Sequence, residues 1–118
     1  MATSTIIDVW GAPDAEAVAQ TVATALDAQA KHQGTTTRGD SWHVASPDWL
    51  VQVHAENERY PHEAPVWMSI YHSGQDIAPL YRLTDRLYTH LVENTPWGLN
   101  AVADNEAEFP DRSRPALG

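Results

Sequence analysis

Histidines and carboxylates cluster in the middle of this sequence. His54 and Glu56 are two residues apart in a predicted strand, so their side chains point to the same face. His62, Glu63 and His72 follow in the same region. Zinc accepts imidazole nitrogens and carboxylate oxygens as ligands, but no spacing here matches a known motif such as His-Glu-x-x-His. We therefore predict that the chain binds no metal and no cofactor.

The same side chains could supply general acid–base catalysis. A histidine beside a carboxylate is the minimum that this chemistry needs, and either His54 with Glu56 or His72 with Asp76 would provide it. The sequence contains no nucleophile elbow, phosphate-binding glycine loop or dinucleotide fingerprint. We keep as an alternative a small-molecule-binding domain or enzyme that uses His54 and His72 in a pocket of the sheet.

A second pattern combines aromatic side chains with histidine at alternate positions. Trp67 and Tyr71 share one face of a predicted strand, and Leu50 and His54 share one face of the strand before it. His43 joins them if its own strand pairs in register. Trp and Tyr provide much of the binding energy at protein interfaces, so a contiguous patch of this composition predicts a binding surface.

The charge of the chain is strongly acidic. Sixteen Asp and Glu residues oppose seven Lys and Arg residues, which gives a net charge of −9. No cluster of basic residues could bind phosphates, so this balance argues against nucleic acid and anionic membranes as partners. An acidic surface instead attracts basic proteins. We predict that Glu56, Glu58 and Glu63, in a long loop between two strands, attract such a partner.

Length and composition limit the class of protein. A chain of 118 residues fits one domain with one hydrophobic core. It has no cysteine, so it forms neither disulfides nor thiolate metal sites. The first residues lack the pattern of a signal peptide, and no apolar run is long enough to cross a membrane. We expect a cytoplasmic protein.

Apolar residues at helical spacing predict two helices. The first begins near Pro13, carries a stripe of Ala, Val and Leu residues as far as Leu26, and is expected to stop at Gly34. The second follows a cap at Ser73 or Asp76, has its apolar stripe between residues 80 and 91, and ends at residues 94–96.

Alternating patterns predict strands over 5–10, 42–45, 49–55 and 66–72, and residues 35–38 can extend. The segment 97–103 forms a last strand, or docks on the sheet through Trp97 and covers the aromatic patch. The order β-α-β-β-β-α(-β) predicts an α+β fold, an antiparallel or mixed sheet with two helices on one face, which resembles the ferredoxin-like two-layer sandwich. Residues 1–103 form this single domain, and residues 104–118 a polar tail.

These observations favour a non-enzymatic protein-binding domain. Its most specific form is an immunity or antitoxin-type inhibitor of a basic partner protein, and a homodimer across the same face is the related alternative. A structural subunit of a phage-like assembly is a further alternative. The residues predicted to bind the partner are Leu50, His54, Glu56, Glu58, Glu63, Trp67 and Tyr71.

Overall fold

Seven strands form one antiparallel sheet, and two helices pack against it. The computed structural model describes residues 4–36, 39–56, 66–74, 76–103 and 112–115. The elements, in chain order, are β1 (Ser4–Trp10), α1 (Ala15–Leu26), β2 (Ala30–Thr36), β3 (Gly39–Ala45), β4 (Trp49–Glu56), β5 (Val66–His72), α2 (Ile77–Asn94), β6 (Gly98–Ala103) and β7 (Arg112–Arg114). The strands lie side by side in the order β2-β3-β4-β5-β1-β6-β7. The predicted two-layer α+β fold is confirmed.

Both helices lie on the same side of the sheet. α1 contacts β2, β3 and β4, whereas α2 contacts β1, β5 and β6, and the two helices contact each other. Their buried stripes and alternate strand residues form one hydrophobic core, whose fully buried strand members include Ile7, Val9, Val44, Val51, Val53, Met68, Ile70 and Ala101. The predicted alternation of β4 and β5 is therefore confirmed, and so is the placement of both helices on one face.

The strand order contains a split β-α-β unit. β5, α2 and β6 are consecutive in sequence, but β1 lies between β5 and β6 and is antiparallel to both. This interleaved connection also occurs in ferredoxin-like domains. The meander of β2, β3, β4 and β5 lies on the side of β1 away from β6. Helix α1 packs on β2, β3 and β4 of this meander.

α1 begins where the sequence places a helix cap, but it ends earlier than predicted. Asp14 is the N-cap, and its carboxylate accepts a 2.8 Å hydrogen bond from the amide of Ala17. The helix ends at Leu26 because Asp27 adopts a left-handed conformation, with φ 53°. The prediction that the helix stops at Gly34 is wrong. That glycine lies in β2 beside a bulge, with φ 155°, a value that glycine adopts readily.

A buried pair of hydroxyl groups joins the two layers. The Oγ1 atoms of Thr5 on β1 and Thr84 on α2 are 2.6 Å apart, and both residues are fully buried. Thr84 also donates to the carbonyl of Leu80 at 2.9 Å. Because the Thr84 hydroxyl carries a single hydrogen, the Thr5 hydroxyl donates to Thr84.

The C-terminal residues complete the sheet on the side of α2. The last strand predicted from the sequence is β6, and β7 lies within the segment predicted as a polar tail. Trp97 is only 9% exposed and belongs to the core beneath the helices. The alternative in which Trp97 covers the aromatic patch is therefore wrong. Within the described ranges, no helix combines the length and the apolar composition needed to cross a membrane.

Candidate functional site

The side of the sheet opposite the helices carries the predicted patch. We call it the open face. It is formed by alternate residues of five strands, including Ile6, Asp8, His43, Leu50, Gln52, His54, Trp67, Ser69, Tyr71, Asn100 and Val102. All eleven are partly exposed, in contrast to the core residues that alternate with them. The face therefore remains accessible where the structure describes it.

The register of β4 and β5 places the predicted residues directly opposite one another. Leu50 faces Tyr71, and His54 faces Trp67. The imidazole and indole rings of the second pair are stacked, with centroids 5.0 Å apart and planes inclined by 27°. Directly opposed side chains in an antiparallel pair have Cβ atoms about 5 Å apart, so each pair packs as a unit. Both predicted pairs thus lie on one face, and the polar pair of Gln52 and Ser69 separates them.

Neighbouring strands extend the patch in both directions. On β1, Asp8 lies opposite Trp67, so a carboxylate borders the stacked rings. On β3, His43 lies opposite Gln52 of β4, which places His43 on the open face. The expectation that His43 joins the patch, conditional on the register of its strand, is confirmed. The open face thus combines aromatic, imidazole and amide groups with one carboxylate near its centre.

The predicted acidic residues fall mostly outside the described part of the chain. Glu56 is the last residue of β4, where its backbone pairs with Gly39. Glu58, His62 and Glu63 lie outside the described residues. Their predicted contribution to partner binding stays a prediction.

The two histidines of the alternative enzyme hypothesis lie on opposite faces of the sheet. His54 is on the open face, whereas His72 shares the face of the buried residues of β5 and pairs with Trp49. The Nδ1 atom of His72 accepts a hydrogen bond from the amide of Gly74 at 3.3 Å. The shared pocket proposed for His54 and His72 is therefore not formed. Over the described ranges, no three His, Asp or Glu side chains are grouped closely enough to hold a metal ion.

A small cleft at one end of the sheet was not anticipated from the sequence. We call it the end cleft. It has a volume of about 250 Å³ and is lined by Ser46, Pro47, Asp48, Trp49, Leu50, Tyr71, His72 and Ser73. Leu50 and Tyr71 also belong to the open face, so the cleft adjoins the patch. The signal that could have found it is the Ser-Pro-Asp turn directly before β4, because that turn forms one wall.

A polar cluster at the β2–β3 end was also missed. The Nε2 atom of His32 lies 2.6 Å from a carboxylate oxygen of Asp40, and the indole of Trp42 donates to the other oxygen at 3.2 Å. The rings of His32 and Trp42 are 4.8 Å apart. These residues pair in register with the buried side of β4, so they lie away from the open face. The Asp40 carboxylate thus holds both rings in place at the edge of the helix layer.

No protein-family model matches this chain, and no curated protein is significantly similar to it. The open face, the end cleft and the distribution of charge are therefore the features that bear on function.

Proposed function

We propose that this chain is a small protein-binding domain that holds a basic partner protein on its open face. Its most specific form is an inhibitor of the immunity or antitoxin type. The observation that carries the proposal is the accessible pair of Trp67 and His54, stacked at 5.0 Å, with the Leu50–Tyr71 pair on the same face beyond the intervening Gln52–Ser69 pair.

The composition of the open face supports binding rather than stability. A half-solvated antiparallel sheet normally alternates apolar residues toward the core with polar residues toward water. Here Leu50, Trp67 and Tyr71 occupy positions that face away from the core. Large aromatic side chains at the centre of an interface are the residues whose truncation most often weakens binding. They would determine how slowly the complex dissociates.

The charge of the chain supports a basic partner. With a net charge of −9, the protein repels acidic surfaces and attracts basic ones before contact. On the open face itself, Asp8 lies opposite Trp67, so one carboxylate adds to the negative charge beside the aromatic ring. Long-range attraction of this kind raises the rate of association and is screened by salt.

The experiment that tests the proposal measures binding to the product of the neighbouring gene, which is the first candidate for a partner of an immunity-type inhibitor. Titration calorimetry of the purified pair should detect a complex whose affinity falls steeply between about 50 and about 500 mM salt. Trp67→Ala should weaken it at least about thirtyfold, as expected for a hot spot. The control Thr24→Ala changes an exposed residue of α1, on the opposite side, and should leave the affinity unchanged.

Two results would contradict the proposal. The first is a complex that forms equally well with Trp67→Ala, because the open face would then not be the binding surface. The second is an affinity indifferent to salt, because charge would then play no part. If sedimentation shows instead a dimer of this chain that Trp67→Ala dissociates, the occupant of the open face is a second copy rather than a basic partner.

A further inference from the structure

The end cleft is an open depression at the border of the open face. Two backbone hydrogen bonds hold its walls: the amide of Ser46 donates to the carbonyl of Trp49 at 3.0 Å, and the amide of Ser73 donates to the carbonyl of Asp48 at 2.8 Å. The second bond ties the β3–β4 turn to the end of β5. These bonds fix the backbone on both sides of the cleft.

The lining of the cleft includes two aromatic side chains and one carboxylate. Trp49 and Tyr71 contribute ring surfaces, and Asp48 is an exposed residue at the turn. Among the described lining residues, Asp48 carries the single carboxylate, and none is Lys or Arg. Aromatic faces attract cations through the negative potential above the ring, and a nearby carboxylate adds to this attraction. This chemistry favours a cationic group over an anionic one.

The volume of the cleft indicates what kind of cation it accepts. Pockets for drug-sized molecules and cofactors occupy roughly 300–1,000 Å³, and the end cleft, at about 250 Å³, is smaller. It is large enough for one long side chain. A planar guanidinium can stack on an aromatic ring and bind a carboxylate with two hydrogen bonds, whereas an ammonium group can do neither as well. Arginine fits the lining better than lysine.

We propose that the end cleft receives an arginine side chain of the partner protein. The inference rests on the proposed function and specifies the chemistry of the partner. Tyr71 follows Trp67 by four residues on the same face of β5, which places the cleft about 13 Å from the stacked rings. A partner would thus contact the open face with an apolar surface and insert an arginine at its edge. The guanidinium would stack on Trp49 or Tyr71 and pair with Asp48.

The test uses N-acetyl-L-arginine amide as a probe, titrated into the ¹⁵N-labelled protein and followed by NMR. Saturable shifts are expected for the indole N–H of Trp49 and the amide of Ser73. The citrulline analogue, which is neutral and of similar shape, should bind several times more weakly. Asp48→Asn should weaken arginine binding about two- to fivefold, the range expected for an exposed charge pair. Asp76→Asn makes the same charge change at an exposed position outside the cleft and should have no effect.

The inference is overturned if arginine produces no saturable shift at the cleft, if citrulline binds equally well, or if the two Asn variants behave alike. Its failure can be distinguished from failure of the proposed function. If the probe does not bind but Trp67→Ala still abolishes the complex with the partner, the inference about the cleft fails and the open face keeps its function. If the probe binds but Trp67→Ala leaves the partner's affinity unchanged, the cleft binds a cation and the proposed function fails.

Discussion

The guanidinium of Arg114 should make a large contribution to the stability of α2. Its Nη1 atom donates to the carbonyl of Val92 at 2.6 Å, and its Nη2 atom donates to the carbonyls of Thr95 and Trp97 at 2.7 and 2.6 Å. Its Nε atom donates to Trp97 as well, at 3.2 Å. The last turn of α2 contains no basic residue of its own. Arg114, on β7, supplies the positive charge that the C-terminal end of a helix favours.

The magnitude can be worked from these contacts. Three carbonyls are satisfied, and a net contribution of about 1 kcal/mol for each hydrogen bond gives about 3 kcal/mol. The favourable interaction of the charge with the helix end adds about 0.5 kcal/mol. Immobilising the long side chain costs about 1.5 kcal/mol. We therefore expect Arg114→Met, which keeps most of the apolar stem, to lower the free energy of unfolding by about 2 kcal/mol.

Urea denaturation, followed by far-UV circular dichroism, measures this change. The midpoint should fall at an unchanged slope, and the melting temperature should fall by about 8 °C for a chain of this size. Arg114→Lys should recover part of the loss, because one ammonium group cannot reach all three carbonyls. Arg82→Met, at an exposed position of α2, is the matched control and should change stability by less than about 0.5 kcal/mol. A loss below about 0.5 kcal/mol for Arg114→Met would refute the proposed role in capping the helix.

Three further predictions concern stability and use the same measurement. Trp67→Ala should lower the free energy of unfolding by only about 1–2 kcal/mol, because the ring is partly exposed. Met68→Ala should lower it by about 2–5 kcal/mol, because Met68 is fully buried on the opposite face. Equal losses would mean that Trp67 is part of the core. Thr84→Val should lower the free energy of unfolding by about 1–3 kcal/mol, because it leaves the buried hydroxyl of Thr5 on β1 without its acceptor. An unchanged stability would contradict the hydrogen bond between the layers. Gly34→Ala should lower the free energy of unfolding by about 1–2 kcal/mol, because φ is 155° there. Gly74→Ala should leave stability nearly unchanged, because the added Cβ meets only ordinary van der Waals contacts. The reverse order would contradict the bulge geometry.

The arrangement of the open face could be predicted because β4 and β5 alternate almost perfectly. In such a strand, the position of one core residue determines the face of every other residue. Val53 and Met68 are fully buried, so His54 and Trp67 must face away from the core. The pairing partner of each residue was not predictable in the same way, because it depends on the register between strands.

The end of α1 could not be predicted because its sequence gives no clear stop. The residues after Leu26 are Asp-Ala-Gln-Ala-Lys-His-Gln, most of which are compatible with a helix. Residues 30–36 become a strand because they pair with β3, and this tertiary contact outweighs a weak local preference. The same limitation explains why Arg114 was assigned to a tail. Its partners are Val92, Thr95 and Trp97, and no local pattern relates residues so far apart.

The dimensions of the two layers explain why one face is left uncovered. Seven strands spaced by about 4.8 Å form a sheet about 29 Å wide, and two helices of about 10 Å diameter cover roughly two thirds of one side. Both helices are used on that side, so the described elements provide nothing to cover the other. Threonine would suit the partly exposed strand positions of Leu50, Trp67 and Tyr71 and would present less apolar area to water. Cross-strand packing accounts for part of what these three large side chains contribute, and contact with a partner is the further role that we propose for them.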